Sequence, residues 1–185
     1  MKIVIISASV RTGRMSHRAA LFFKNFIEKE NMASAEILDL QQYQFPIFDE
    51  RLKFQKNPLP EAVEFSQKIR SADGVIIVTP EYNGAYPASL KNVIDLLNEE
   101  WKKKPVSISM VSSGAFGGSQ VITSLQFALW KIQAWTVPVV FPVPKIGEAF
   151  DEQGAPIDKE SMEKRARSFI NELLWYIEAK KRMTA

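Results

Sequence analysis

The feature that most constrains this chain is a pair of unbroken β-branched runs, Ile3-Val4-Ile5-Ile6 and Val75-Ile76-Ile77-Val78, set between stretches whose apolar residues recur at threes and fours. A run without polar alternation suits a strand buried on both faces, which is the signature of a parallel sheet covered by helices. Residues 16–30 carry Ala19, Ala20, Phe22, Phe23, Phe26 and Ile27 at helical spacing, with Ser16 as a candidate N-cap. The pattern then predicts strands over 35–40, 74–79, 106–111 and 137–141. It predicts helices over 61–71, from Pro87 as first helical residue through Leu97, over 121–132, and from about Met162 through Ile177. Pro138, Pro142 and Pro144 mark the fifth strand as an edge or an early termination. Strand and helix thus alternate five times, which implies right-handed crossovers and an α/β, doubly wound parallel sheet with helices on both faces.

At 185 residues, one domain spanning 1–185 is expected. Apolar types at 46% and charged types at 24% match a folded globular chain and exclude disorder. The chain has no cysteine and one histidine, His17, which removes disulfides, thiolate or multi-histidine metal sites and cysteine nucleophiles, so no metal site is expected. A net charge of +3, with acidic residues interspersed among basic ones, does not favour nucleic-acid binding. The clusters Lys102–Lys104 and Lys180–Arg182 read as solvated helix ends, and His17 reads as a surface residue of the first helical turn rather than a ligand contact. No apolar run approaches the roughly 20 residues of a membrane span, and the opening run is too short for a signal peptide, so a cytoplasmic protein is expected.

In such sheets ligands bind beyond the carboxyl ends of the strands where strand order reverses, which directs attention to the loops after strands one, three and four. The first, Ser9-Val10-Arg11-Thr12-Gly13-Arg14-Met15-Ser16, joins hydroxyls, a glycine and two arginines to a helix N-terminus, a combination suited to a phosphate; the alternative is a capped surface turn. It matches neither the P-loop nor the dinucleotide fingerprint. The second, Thr79 to Pro87, has Asn83-Gly84, which adopts positive φ cheaply, between two stiffening prolines; its amides and Tyr82 suit a planar heteroaromatic ring, or it is a plain turn. The third, Ser112 to Ser119, has three glycines that let backbone approach a ligand. A long stretch from Gln41 to Pro60 holds Tyr43, Phe45, Phe48 and Phe54, whose rings either cover the core or wall a pocket or subunit contact.

Ser9-x-Arg11-x-Gly13-Arg14, Pro80-Glu81-Tyr82-Asn83-Gly84-x-x-Pro87-x-x-Leu90-Lys91-Asn92-x-Ile94-Asp95, Ser113-Gly114-x-x-Gly117-Gly118 and Phe150-Asp151-Glu152-x-Gly154 together resemble the NADPH-dependent FMN reductase family. The resemblance implies a flavodoxin-like five-stranded sheet of order 2-1-3-4-5, non-covalent FMN, and homodimers or homotetramers. It implies that Ser9, Arg11 and Ser16 hold the FMN phosphate, with Gly13 also cofactor-binding, that Pro80, Glu81, Tyr82, Asn83 and Gly84 contact the ring system, and that Ser113, Gly114 and Gly118 complete the pocket. Ala8 and His17 depart from the residues commoner in the family at those places.

The implied activity is hydride transfer from NADPH, or NADH, through FMN to a small-molecule acceptor such as a flavin, quinone, azo or nitro compound, or oxidised metal ion. No catalytic side chain is then required, and Glu81 is expected to fix its loop. Arg14 or another cation is a candidate partner for the 2′-phosphate of NADPH, which the spacing does not establish. The alternatives are a flavodoxin-type electron carrier, whose acidic docking face the +3 charge does not suggest, and a flavin-binding module without turnover. The loop from Tyr43 to Phe54, or exposed tryptophans, are expected to cover a neighbouring subunit's pocket.

Overall fold

In the computed structural model, which describes residues 1–184, a parallel sheet is built from β1 (Lys2–Ser7), β2 (Ser34–Asp39), β3 (Gly74–Pro80), β4 (Pro105–Val111), β5 (Trp135–Thr136) and β6 (Phe141–Val143). The helices, in chain order, are α1 (Ser16–Lys29), α2 (Leu40–Tyr43), α3 (Pro60–Ser71), α4 (Ala88–Leu96), α5 (Val121–Lys131), α6 (Ile146–Ala149) and α7 (Lys159–Thr184). The order β2-β1-β3-β4-β5 is that of a flavodoxin-like sheet. Every residue of β3 and β4 is buried, as expected of central strands. Helices α1 and α7 cover one face, with Phe22, Phe23, Phe26, Phe141 and Phe169 in that core. Helices α3, α4 and α5 cover the other, with Phe65, Leu90, Trp101 and Leu125.

The edge beside β4 differs from the expectation of one strand over 137–141. Two short pieces share it: β5 pairs with Pro105 and Val106 at the start of β4, and β6 with Ser109, Met110 and Val111 at its end. The predicted segment is largely the gap between them. Pro138 has no N–H to give a ladder, so pairing lapses after the amide of Val137 reaches the carbonyl of Val106 at 2.9 Å. Pro87 precedes α4 instead of opening its first turn. Ser16 is likewise the first residue of α1 and not its cap: Met15 holds the cap position and no side chain satisfies the free amides.

The lysine cluster after α4 divides. Lys104 is 4% exposed, contrary to the solvated reading, and its Nζ donates to the carbonyls of Arg70, at 3.2 Å, and Ala72, closing the end of α3. Burial, together with the nearby Lys180 charge, lowers its pKa to about 8. The turn leading to α7 is fixed by Asp151, whose Oδ1 accepts from the amides of Gln153 and Ala155 at 2.9 and 2.8 Å. Gly154 there has φ +80°, and a Cβ on it would lie 2.6 Å from Phe22 N and 2.7 Å from Arg18 O. The Phe150–Gly154 motif therefore docks this turn on α1.

Candidate active site

The carboxyl ends of β1, β3 and β4 open onto a cleft of about 160 Å³. Ser9, Arg11, Gly13, Arg14, Met15 and Ser16 form one wall; Pro80, Glu81 and Tyr82 form the next; Val111, Ser112, Ser113 and Ile146 close it. Eight of the expected residues thus meet here: Ser9, Arg11, Gly13, Ser16, Pro80, Glu81, Tyr82 and Ser113. Asn83, Gly84, Gly114 and Gly118 do not line it.

The phosphate-type wall is polar, and its Ser16 hydroxyl is unspent. Ser16 is 4% exposed, yet its Oγ has no hydrogen-bond partner. It sits at the uncapped amino end of α1, where free amides and the helix dipole attract an anion. Gly13, at φ +70° with open space around it, turns the loop, and the amide of Arg14 bonds to the carbonyl of Arg11 at 3.2 Å. Arg11 is exposed. A buried orphan hydroxyl, uncapped amides and a guanidinium on one wall fit the phosphate of FMN.

Arg14 faces away from solvent. Its guanidinium binds both carboxylate oxygens of Asp39 and the carbonyl of Ser9, so it is spent inside the fold and is not presented to the adenosine 2′-phosphate of NADPH. Burial alone would raise the Asp39 carboxyl, but the hydrogen bonds from Arg14 and the Gln41 amide outweigh it and hold Asp39 below its ordinary value. His17 is neither a free surface residue nor a cleft-lining one. Its Nδ1 lies 3.0 Å from Ser7 Oγ and 3.7 Å from Asp39, and burial lowers its pKa against the pull of the Asp39 charge.

The ring-type wall is a rigid turn. Tyr82 and Ala85 exchange backbone hydrogen bonds at 2.8 and 3.1 Å, with Asn83 at φ 53° and Gly84 at φ 80°, the two positive angles of a type I′ turn. Asn83 and Gly84 shape this wall from behind. Tyr82 crosses the cleft, its hydroxyl 2.8 Å from Ser9 Oγ. Glu81 Oε2 accepts from the amide of Gln120, the residue that caps α5, at 3.3 Å, and so ties the second loop to the third. Gly118 lies against β4, where a Cβ would meet Met110 Cβ and the Val111 backbone at 3.2 Å; its small size serves the packing of the loop and not the cleft.

The aromatic stretch covers the core and also borders two cavities. Tyr43 and Phe45 stack at 5.1 Å and meet Phe65 edge-on, covering the core. Phe48 and Phe54 wall a 470 Å³ cavity beside α4, and a second of 840 Å³ runs past Val10, Phe45, Ile47 and Lys91. Asn92 clamps the stretch, donating to Pro46 O at 2.7 Å and accepting from Phe48 N at 2.6 Å, a role that its place in the family motif signalled without specifying. These cavities are larger than the cleft, but the converging polar groups are in the cleft, and polar convergence, not volume, identifies a reaction site.

A family model described as NADPH-dependent FMN reductase matches residues 1–148. An NAD(P)H-dependent FMN reductase of Saccharomyces cerevisiae is 35% identical over 142 residues, 70% of this chain and 73% of its own length. A quinone reductase of Escherichia coli is 35% identical over 126 residues, 65% of this chain and 64% of its own length. Among solved structures, a flavoenzyme NAD(P)H:(acceptor) oxidoreductase of Paracoccus denitrificans shares the fold, with a TM-score of 0.75 and 22% identity over 96% of this chain and 97% of that one.

Proposed function

Since the chain belongs to the NADPH-dependent FMN reductase family, we propose that its cleft binds FMN non-covalently and that it is an oxidoreductase carrying reducing equivalents from NADPH or NADH to a small-molecule acceptor. The observation that carries the reading is the buried, unpartnered Ser16 hydroxyl at the uncapped end of α1, on a residue that lines the same cleft as Ser9 and Arg11. Bound FMN supplies the hydride chemistry, so the protein's task is to position it. Ser9, Arg11, Ser16 and the first amides of α1 hold the phosphate, with Gly13 shaping that loop. Pro80, Glu81 and Tyr82 border the ring system, backed by the turn at Asn83 and Gly84, while Ser113, Gly114 and Gly118 supply the third loop. Glu81 keeps the second and third loops in register through Gln120.

The acceptor is a flavin, quinone, azo or nitro compound, or oxidised metal ion, because a ring with one open face selects weakly among planar acceptors. All of these parts ride on one sheet within residues 1–185, and no helix of the described residues is long and apolar enough to cross a membrane. A cytoplasmic setting completes the reading. Val10, Ile47, Phe54 and Leu59 leave apolar surface exposed beside α4, Ile47 at 91%, and this face is proposed to pair subunits into a homodimer or homotetramer. Sedimentation as a monomer alone rejects that pairing.

The activity is tested by recording the visible spectrum of the purified protein with FMN, then adding NADPH without oxygen. Bound flavin that bleaches supports a reductase. Bound flavin that NADPH leaves oxidised rejects turnover and leaves a carrier or binding module; absence of flavin binding rejects the reading of the cleft.

A further inference from the structure

Arg14, a residue of the phosphate-type wall, forms a buried ion pair with Asp39, with side chains 10% and 6% exposed. The guanidinium fork takes both oxygens of Asp39 and reaches the carbonyl of Ser9. Asp39 ends β2 and is held in turn by the Gln41 amide at 3.1 Å. Ser9 is the residue on which the loop converges: its hydroxyl bonds to Tyr82 at 2.8 Å and accepts from the amide of Arg11 at 3.3 Å. A buried pair of this kind seldom stabilises a fold more than apolar residues of the same shape would. What it does supply is a fixed direction for the Ser9 peptide, and with it the direction of the Ser9 hydroxyl and the Arg11 amide.

We infer that Arg14 is a positioning residue for the phosphate subsite: paired with Asp39, it fixes the Ser9 peptide, and through the bonds of Ser9 Oγ to Tyr82 and the Arg11 amide it fixes the loop that leads to Ser16 and the amino end of α1 in the shape that meets one anion, and it does not itself touch that anion. The inference rests on the FMN reading of the cleft. It separates from a direct-contact role because removing Asp39 would free a contacting arginine to bind phosphate better, whereas a positioning arginine loses its purchase. It separates from a merely structural role because riboflavin, which lacks the phosphate, reports the ring wall alone.

The test is the dissociation constant of FMN and of riboflavin, from flavin fluorescence, for wild type, Arg14→Met, Asp39→Asn and the double variant. FMN binding is expected to weaken about tenfold or more in each single variant, the scale of one lost charge-assisted contact. The double variant should be no more than about threefold worse than the weaker single one, as coupled residues are non-additive, and riboflavin binding should change less than about threefold. The double variant strands no buried charge, so it carries the test if a single variant does not fold. FMN affinity retained or raised in Asp39→Asn, or equal weakening of FMN and riboflavin, overturns the inference. Wild type that binds neither flavin overturns the reading of the cleft as well, an outcome distinct from wild type that binds FMN with variants that match it.

Discussion

Replacing Ser16 by alanine should move two properties of this protein in opposite directions. The Ser16 side chain is buried to 4% exposure with an unpartnered Oγ, so the cofactor-free fold bears the cost of desolvating a hydroxyl, about 1 to 3 kcal/mol. Alanine removes that cost, forfeits a little packing, and is the better helix former at the first residue of α1 by a few tenths of a kcal/mol. A net gain of about 1 kcal/mol corresponds to a Tm rise of roughly 2 to 4 °C for a chain of this size. In the proposed FMN complex the same hydroxyl would donate to a charged phosphate, a bond worth about 1.5 to 3 kcal/mol, so Ser16→Ala should weaken FMN roughly 10- to 150-fold. The assays are thermal unfolding of cofactor-free protein and fluorescence titration with FMN. A Tm that falls by several degrees together with an unchanged FMN affinity would refute the reasoning, since the hydroxyl would then have a partner in the fold and no role at the phosphate.

Two further perturbations probe the frame around the cleft. Gly154→Ala should cost about 2 to 5 kcal/mol in urea unfolding, because φ +80° disfavours an L side chain and the new Cβ would press on backbone atoms of α1 that cannot swing aside; a change under about 0.5 kcal/mol would show that the turn at Gly154 yields freely. Lys104, with a pKa lowered to about 8 by burial and the Lys180 charge, releases its proton in the folded state before the unfolded lysine does at its ordinary 10.5. The unfolded state therefore binds more protons between those values, so stability rises with pH from about 8 toward 10 as the cost of the buried charge is relieved. Lys180 shifts in the same direction, so the measurement is the pH slope of unfolding free energy in wild type minus that in Lys104→Met; equal slopes would reject the buried-charge account.

Much of this protein is legible in local pattern. The β-branched runs give β1 and β3, the threefold and fourfold spacing of Phe22, Phe23, Phe26 and Ile27 gives the buried face of α1, and Asn83-Gly84 gives a turn of the type observed. These follow from sequence because strand and helix periods, and the cost of positive φ, act within a few residues. The motifs likewise located the cleft, because a doubly wound sheet delivers its loops to one end whatever the details of packing.

What sequence left open depends on residues that meet only when the chain is folded. Arg14 stands among loop residues like Arg11, and only the arrival of Asp39, 25 positions away along the chain, turns one guanidinium inward while the other stays in solvent. Lys104 sits in a run of lysines that looks wet until the carbonyls ending α3 come to meet it. The edge of the sheet splits into β5 and β6 because ladder pairing is a property of two strands: β4 determines where Pro138 can be skipped. Sequence by itself determined the periodic elements, their order and the end of the sheet where the loops gather into a cleft, since those rest on short-range sterics and burial. Tertiary structure alone decided which charges are spent inside the fold and which hydroxyl is left waiting, since electrostatic partners are chosen by distance in space and not by distance along the chain.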